Sequence, residues 1–236
     1  KVNIFAGQYD KADFSINGKT YDLNTWTAAR HMNSGMSFFH SQKFGQLDIV
    51  AGGNEFMDEG YRQGEYENRA RFNINTRYRF KKAEGLSVGV NMNTMETEGS
   101  LFFLWKNDTA AAYIPAPNTL SGYTTHRTNI DPYLTYMGKK GTVHKIRTRW
   151  FNTINENNTA QGSTADLIYT EYQIQKKIKD LVTVAGGVVR IGNLVKSELY
   201  GDHDGSQVAV YAQGDAHYKK FTFSAGARFE KNRIDD

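Results

Sequence analysis

The chain of 236 residues contains no cysteine and only 3 prolines. Without thiols it is neither a disulfide-stapled secreted module nor a Cys-ligated zinc domain. So few prolines also exclude collagen-like and Pro-rich linker chains. Long apolar runs are missing as well, and the mean hydropathy is −0.62. That excludes transmembrane helices. It leaves room for a membrane β-barrel, whose strands show lipid only every second residue and so average to polar. No signal peptide opens the sequence, because Lys1–Gln8 already alternates like a strand; this is the pattern of a processed start or of a piece of something larger. A net charge of +4 spread over the whole chain gives little pull on nucleic acid, which is not expected as a partner. Helical signals are nearly absent too, with no sustained i, i+3, i+4, i+7 apolar pattern and no capped start.

What is present is period-two alternation, in a chain whose aromatic content of 13% favours strands. In Arg69–Lys81, the residues Ala70, Phe72, Ile74, Thr76, Tyr78 and Phe80 fall on one side. Arg69, Arg71, Asn73, Asn75, Arg77, Arg79 and Lys81 fall on the other. Successive side chains of a strand point to opposite faces, so this segment makes one apolar and one cationic face. Leu86, Val88, Val90 and Met92 oppose Ser87, Gly89, Asn91 and Asn93 in the same way. Ile146, Thr148, Trp150 and Ile154 oppose Lys145, Arg147 and Arg149, and Ile168, Thr170, Tyr172 and Ile174 oppose Tyr169, Glu171, Gln173 and Gln175. Phe221, Phe223, Ala225, Ala227 and Phe229 close the series. About eleven such strands are predicted, many with the nine to eleven residues that a tilted barrel strand needs to cross a bilayer.

Short turns are predicted at Phe44–Gln46, Lys81–Gly85, Met137–Gly141, Lys176–Asp180 and Tyr218–Lys220. Longer polar segments lie between them: Asp10–Ser34, Asp58–Glu67, Thr97–His126, Asn155–Ala165 and Gly192–Gln207. In an antiparallel meander this alternation gathers tight turns at one end and long loops at the other. An outer-membrane barrel has that asymmetry, with periplasmic turns and extracellular loops. Phe44, Tyr78, Phe80, Tyr133, Tyr136, Tyr218 and Phe221 sit beside the short turns, as an interfacial aromatic girdle would. Bacterial single-chain barrels are even-numbered, and plugged ones reach about 22 strands. The expectation is therefore an all-β fold: residues 1–236 as one segment of a transmembrane antiparallel meander barrel, incomplete, and part of a larger barrel of about 22 strands.

The run from Arg69 through Phe80 into Gly85-Leu86-Ser87-Val88-Gly89 resembles a barrel hairpin of TonB-dependent outer-membrane receptors. So does Val208-Ala209-Val210-Tyr211-Ala212-Gln213 followed by Phe223-Ser224-Ala225-Gly226-Ala227-Arg228-Phe229-Glu230. The loop Leu101–Asp108 is similar to outer loops of some members. The resemblance covers nearly all of this chain and the first part of the family's barrel. It implies import of a scarce nutrient (an iron chelate, haem, vitamin or glycan) across the outer membrane of a gram-negative bacterium. It also implies three partners: outer-membrane lipid, a plug domain of the same full-length chain, and the TonB energy-coupling complex. No residue here matches the plug or the TonB-contacting segment, so the coupling residues cannot be placed.

Several constellations invite sharper readings. Gly85–Gly89 matches the G-x-S-x-G nucleophile elbow, but a strand without a following helix is the wrong context for a catalytic Ser87, and no enzymatic role is expected. Asp202-His203-Asp204 offers metal-ligand types that a solvated turn uses equally well. The remaining histidines (His31, His40, His126, His144, His217) are dispersed, and neither a metal site nor a cofactor is expected. Glu96 and Glu98 share a face beside the Thr97–His126 segment and could draw a cationic solute to a barrel mouth, or simply be solvated. Arg69, Arg71, Arg77 and Arg79 are expected to line the lumen and hold plug carboxylates, for which the Arg fork is suited. Phe102, Phe103, Trp105 and Tyr113 are the loop candidates for substrate binding, with packing inside the loop as the competing role. A soluble or surface-attached all-β binding or adhesion module is the alternative to the importer.

Overall fold

The computed structural model describes residues 1–10, 13–22, 27, 29–107, 113–178 and 182–235. Its main sheet runs through β1 (Val2–Gln8), β4 (Met32–Phe44), β5 (Leu47–Asp58), β6 (Tyr66–Arg79), β7 (Leu86–Leu101) and β8 (Ser121–Met137). It continues through β9 (Thr142–Asn157), β10 (Ser163–Ile178), β11 (Val182–Ser197), β12 (Gly201–Tyr218) and β13 (Phe221–Ile234). A small hairpin, β2 (Asp13–Ile16) with β3 (Lys19–Asp22), stands apart. The eleven strands of the main sheet lie side by side in chain order, every pair antiparallel, and the sheet does not close on itself. β1 and β13 are its edges.

Four of the five short turns fall where the sequence places them, with Gly45 and Gly85 in the left-handed region that tight turns need; the fifth, Lys176–Asp180, is strand through Ile178 and otherwise lies outside the described residues. Two of the expected long loops are mostly strand. β9 runs on to Asn157 and β10 starts at Ser163, while β11 runs to Ser197 and β12 starts at Gly201. The Thr97–His126 segment also gives up its first and last residues to β7 and β8. The two faces stop contrasting in these extensions, mostly polar on both sides and apolar on both at Leu194-Val195, so the pattern that marks a strand in sequence fades. The ladder to the neighbouring strand needs only backbone groups and continues without it. The contrast in connection length between the two ends therefore rests on the first half of the chain, on segments 9–31, 59–65 and 102–120.

Residues paired across an antiparallel ladder share a face, so the register assigns every strand residue to one of two sides. One face carries an apolar band beginning at the short turns, interrupted by Lys176 beside Val184 and by Arg190 between Thr170 and Val208. On β6 it is Tyr78, Thr76, Ile74, Phe72 and Ala70, paired on β7 with Val88, Val90, Met92, Thr94 and Glu96. Leu134, Pro132 and Ile130 carry it across β8, and Ile146, Trp150, Ile168 and Tyr172 across β9 and β10. Val184, Val188, Val210 and Val208 lead it to Phe223, Ala225, Ala227 and Phe229 on the far edge. Past about nine residues per strand the same face turns charged, with Glu98, Glu156, Asp166, Lys196, Asp202 and Lys231.

Nothing covers this band among the described residues. Strands contact only their sheet neighbours, so there is no second layer. Phe72 remains 40% exposed, Ile168 57% and Phe229 74%. Among the described residues the buried hydrophobics number three, Phe102, Val189 and Ala209, none of them in the band. A water-soluble domain of this size buries an apolar core; this sheet presents its apolar residues outward instead.

Candidate functional site

The opposite face is polar and ordered by charge-assisted contacts between neighbouring strands. On β6, Arg77 stands directly across from Asp48 of β5. Its Nε and Nη2 donate to Asp48 Oδ2 at 3.2 and 3.1 Å, and Arg79 Nη2 donates to the same oxygen at 2.6 Å. Arg71 Nε donates to Asn93 Oδ1 at 2.5 Å. Arg69 pairs with Glu67 at 3.5 Å and lies over the Phe56 ring at 5.4 Å. Arg69, Arg71, Arg77 and Arg79 share the polar face, and each already has a partner within the sheet.

A second cationic stripe lies on β9, where Lys145, Arg147 and Arg149 share the polar face. Arg149 holds Asp131 of β8 through two parallel bonds of 2.8 and 2.7 Å, and Asn129 Nδ2 donates to the same carboxylate at 3.2 Å. Arg147 sits between Tyr133 of β8 and Glu171 of β10 in register. Glu171 is held by two hydroxyls, from Tyr169 at 2.9 Å and Tyr211 at 2.6 Å. Beside them opens a depression of about 650 Å³, lined by Asn91, Tyr133, Lys145, Arg147, Tyr169 and Glu171 among others. A second depression of about 480 Å³ adjoins it along Tyr169 and Glu171. Asp48, Asp131, Glu171, Tyr169 and Tyr211 escaped singling out in the sequence. The available signal was parity: each lies on the polar side of its own alternating run.

Tyr133 departs from the girdle expected for it. It projects from the polar face of β8, above Gly89 of β7, and donates to the Thr76 carbonyl of β6 at 3.0 Å. A Cβ on Gly89 would overlap both that carbonyl and the Tyr133 ring. Phe44, Tyr78, Tyr136, Tyr218 and Phe221 do share the apolar face at the short-turn end. Tyr211 covers Gly187 in the same manner as Tyr133 covers Gly89. The last glycine of the G-x-S-x-G pattern is thus explained by the ring lying on it. Ser87 stands inside β7, paired with Arg79 and Thr135, and the chain continues as strand.

The loop candidates divide. Phe102 is fully buried beneath the Arg62 guanidinium, 4.5 Å from its ring centre, and Arg62 is ion-paired to Glu65. Tyr113 packs edge-on against Tyr61 at 5.2 Å, and Tyr61 lies 5.7 Å from Tyr9. Burial pushes the Tyr113 hydroxyl above its ordinary pKa. Phe102 and Tyr113 thus pack against the 59–65 connection, in a small core shared between the two loops and not inside one of them. Phe103 and Trp105 are exposed at its tip, which is braced by hydrogen bonds from Lys106 N to Ile114 O and from Ala116 N to Leu104 O, both 2.9 Å. Asn107 is described, whereas residues 108–112 lie outside the described residues.

Glu96 and Glu98 do point the same way, but on the face that carries the apolar band, above it. Glu96 pairs with His126 at 3.4 Å, and Tyr66 donates to Glu98 at 2.9 Å. Their parity with Val88 and Val90 puts them on the side opposite the arginine stripes, away from any mouth that the stripes would line. Asp202-His203-Asp204 is split by the strand, since Asp202 and Asp204 face one side and His203 the other. His203 Nδ1 donates to Asp235 Oδ2 at 2.6 Å and Nε2 to the Tyr200 carbonyl at 2.9 Å. Both partners are acceptors, which favours the protonated ring. The Asp235 carboxylate, and after it the Tyr200 carbonyl, hold its pKa above the ordinary value. No family model matches the chain, and no curated protein matches it.

Proposed function

We propose that this sheet is part of the wall of a transmembrane antiparallel barrel in the outer membrane of a gram-negative bacterium, with the apolar band in lipid and the arginine face toward an enclosed lumen. The uncovered apolar band carries this reading. Nine strand residues rise about 30 Å, or about 23 Å at a tilt of ~40°, close to the ~25 Å apolar belt of such barrels. Water would make so large an apolar face an aggregation surface, whereas hydrocarbon stabilises it. The aromatics at the short-turn end suit one lipid interface, and strands of 16 to 18 residues on β7 through β12 are long enough to project past the other. Two unpaired edges suit a run that continues into further strands on both sides.

Together with the sequence resemblance, this wall supports a TonB-dependent receptor that imports a scarce nutrient and does no covalent chemistry. In that reading the lumen face meets a plug belonging to the full-length chain. The braced Phe103–Trp105 tip stands outside as an apolar contact for solute, and an inner-membrane TonB complex supplies the energy.

These 236 residues hold no cysteine, so single cysteines introduced among them, with any cysteine elsewhere in the full-length protein replaced, allow a test by spin labelling in lipid. Labels at Val88, Val90 and Met92 should collide with dissolved oxygen and resist a water-soluble nickel reagent. Labels at Ser87, Asn91 and Asn93 should show the reverse or neither. Uniform access of the nickel reagent to Val88, Val90 and Met92 would sink the membrane reading and favour a soluble binding module.

A further inference from the structure

The wall contains two carboxylates within reach of the β9 cations, and each is committed elsewhere. Asp131 is chelated by Arg149 and Asn129. Glu171 stands directly across the ladder from Arg147, where a cross-strand ion pair would ordinarily form. Instead its two oxygens are taken by the Tyr169 and Tyr211 hydroxyls, reached along its own strand and from two strands away. Lys145 faces Thr135 on one side and Gln173 on the other, neither of them charged. Among the described residues, no ion pair or side-chain hydrogen bond engages Arg147 or Lys145. Both line the depression of about 650 Å³ together with Asn91 and Thr135. The depression holds three cations, Lys145, Arg147 and Arg149, against two carboxylates, Asp131 and Glu171; with Arg147 and Lys145 making no direct pair, this excess of one positive charge forms a receptor for negative charge.

We infer that this depression on β7–β10 binds an anionic group, a carboxylate or a phosphate, with Arg147 as the bidentate ligand and Lys145 as the second cation. The planar Arg147 fork matches two oxygens of either group, and Lys145, two residues along the same face, adds a point charge. Tyr133 and Tyr169 border the site and offer ring faces to a planar organic anion. The inference rests on the register of the sheet, not on whether lipid lies behind it.

Calorimetric titration of the full-length protein in detergent, with citrate and separately with inorganic phosphate, tests it. Saturable binding is expected in the wild type. It should weaken about tenfold in Arg147→Gln, as loss of a charge-assisted fork predicts. About threefold is expected for Lys145→Gln, and Arg147→Lys should retain part of the affinity. Arg77→Gln should leave binding unchanged, since Arg77 is already neutralised by Asp48. If the anion is instead a carboxylate carried by another segment of the same protein, free citrate and phosphate will not bind, and Arg147→Gln will lower the melting temperature. Absence of anion binding with an unchanged melting temperature overturns the inference. So does an equal loss of binding in Arg77→Gln. A melting loss that Glu171→Gln restores would overturn it too, because Arg147 would then serve only the wall.

Discussion

Strands β6 and β9 carry similar cationic stripes on the same face, and the sheet treats their charges in opposite ways. On β6 a single carboxylate, Asp48, collects Arg77 and Arg79, while Asn93 and Glu67 occupy Arg71 and Arg69. On β9 only Arg149 is so treated, and Arg147 keeps its charge because Glu171 is turned to two tyrosines. Cation count alone therefore does not locate an anion site. What matters is whether the nearest acceptors are already taken.

Arginine placed one face over should erase the difference between the strands. Ile74→Arg on β6 and Thr148→Arg on β9 each put a cation in the middle of the apolar band. Each should cost about 2–4 kcal/mol of stability in lipid, read from reversible denaturant unfolding of the full-length protein. Equal stability of the variants and wild type would contradict the lipid-facing assignment. The contrast between the stripes can be inverted next. Tyr169→Phe with Tyr211→Phe frees Glu171 to pair with Arg147, so citrate affinity should fall about tenfold although no cation has been removed. Unchanged affinity would mean that Glu171 is not what leaves Arg147 available. Conversely, Asp48→Asn releases Arg77 and Arg79. The melting temperature should fall only slightly, because these arginines are half exposed, and weak citrate binding should appear at β6.

The smallest effect belongs to an exposed pair at the strand ends beyond the band, His203 with Asp235. The raised pKa of His203 means that its contribution is fully present below the ordinary 6.5 and fades as pH rises through the folded value. Asp235 is held below its ordinary 3.8, chiefly by His203, so its contribution is present above that value and is lost as pH falls through the folded one. An NMR titration of the His203 ring should give a midpoint above 6.5, moved down by Asp235→Asn. A midpoint unaffected by that change would dissolve the pair.

Much of the wall is legible from alternation alone. The apolar side of Arg69–Lys81, the eleven strands and the positions of four of the five tight turns all follow from side chains that point to opposite faces at every step. The outer ends of β9 through β12, residues 155–157, 163–165, 192–197 and 201–207, are not legible, because the two faces there no longer contrast while the ladder goes on. Tyr133 is misread for a related reason: proximity to a turn marks an aromatic as a girdle residue, but its parity sends it to the other face. The Phe102-Phe103-Trp105-Tyr113 loop divides between core and tip through contacts with Arg62 and Tyr61, which lie some forty residues or more away along the chain.

The amino-acid order by itself determined which residues share a face, because a strand's two-residue period is local and rigid. Only the assembled sheet decided which charges are satisfied. That choice depends on which strand lies beside which, on the register between them, and on rings such as Tyr211 that reach across a glycine to a residue two strands off.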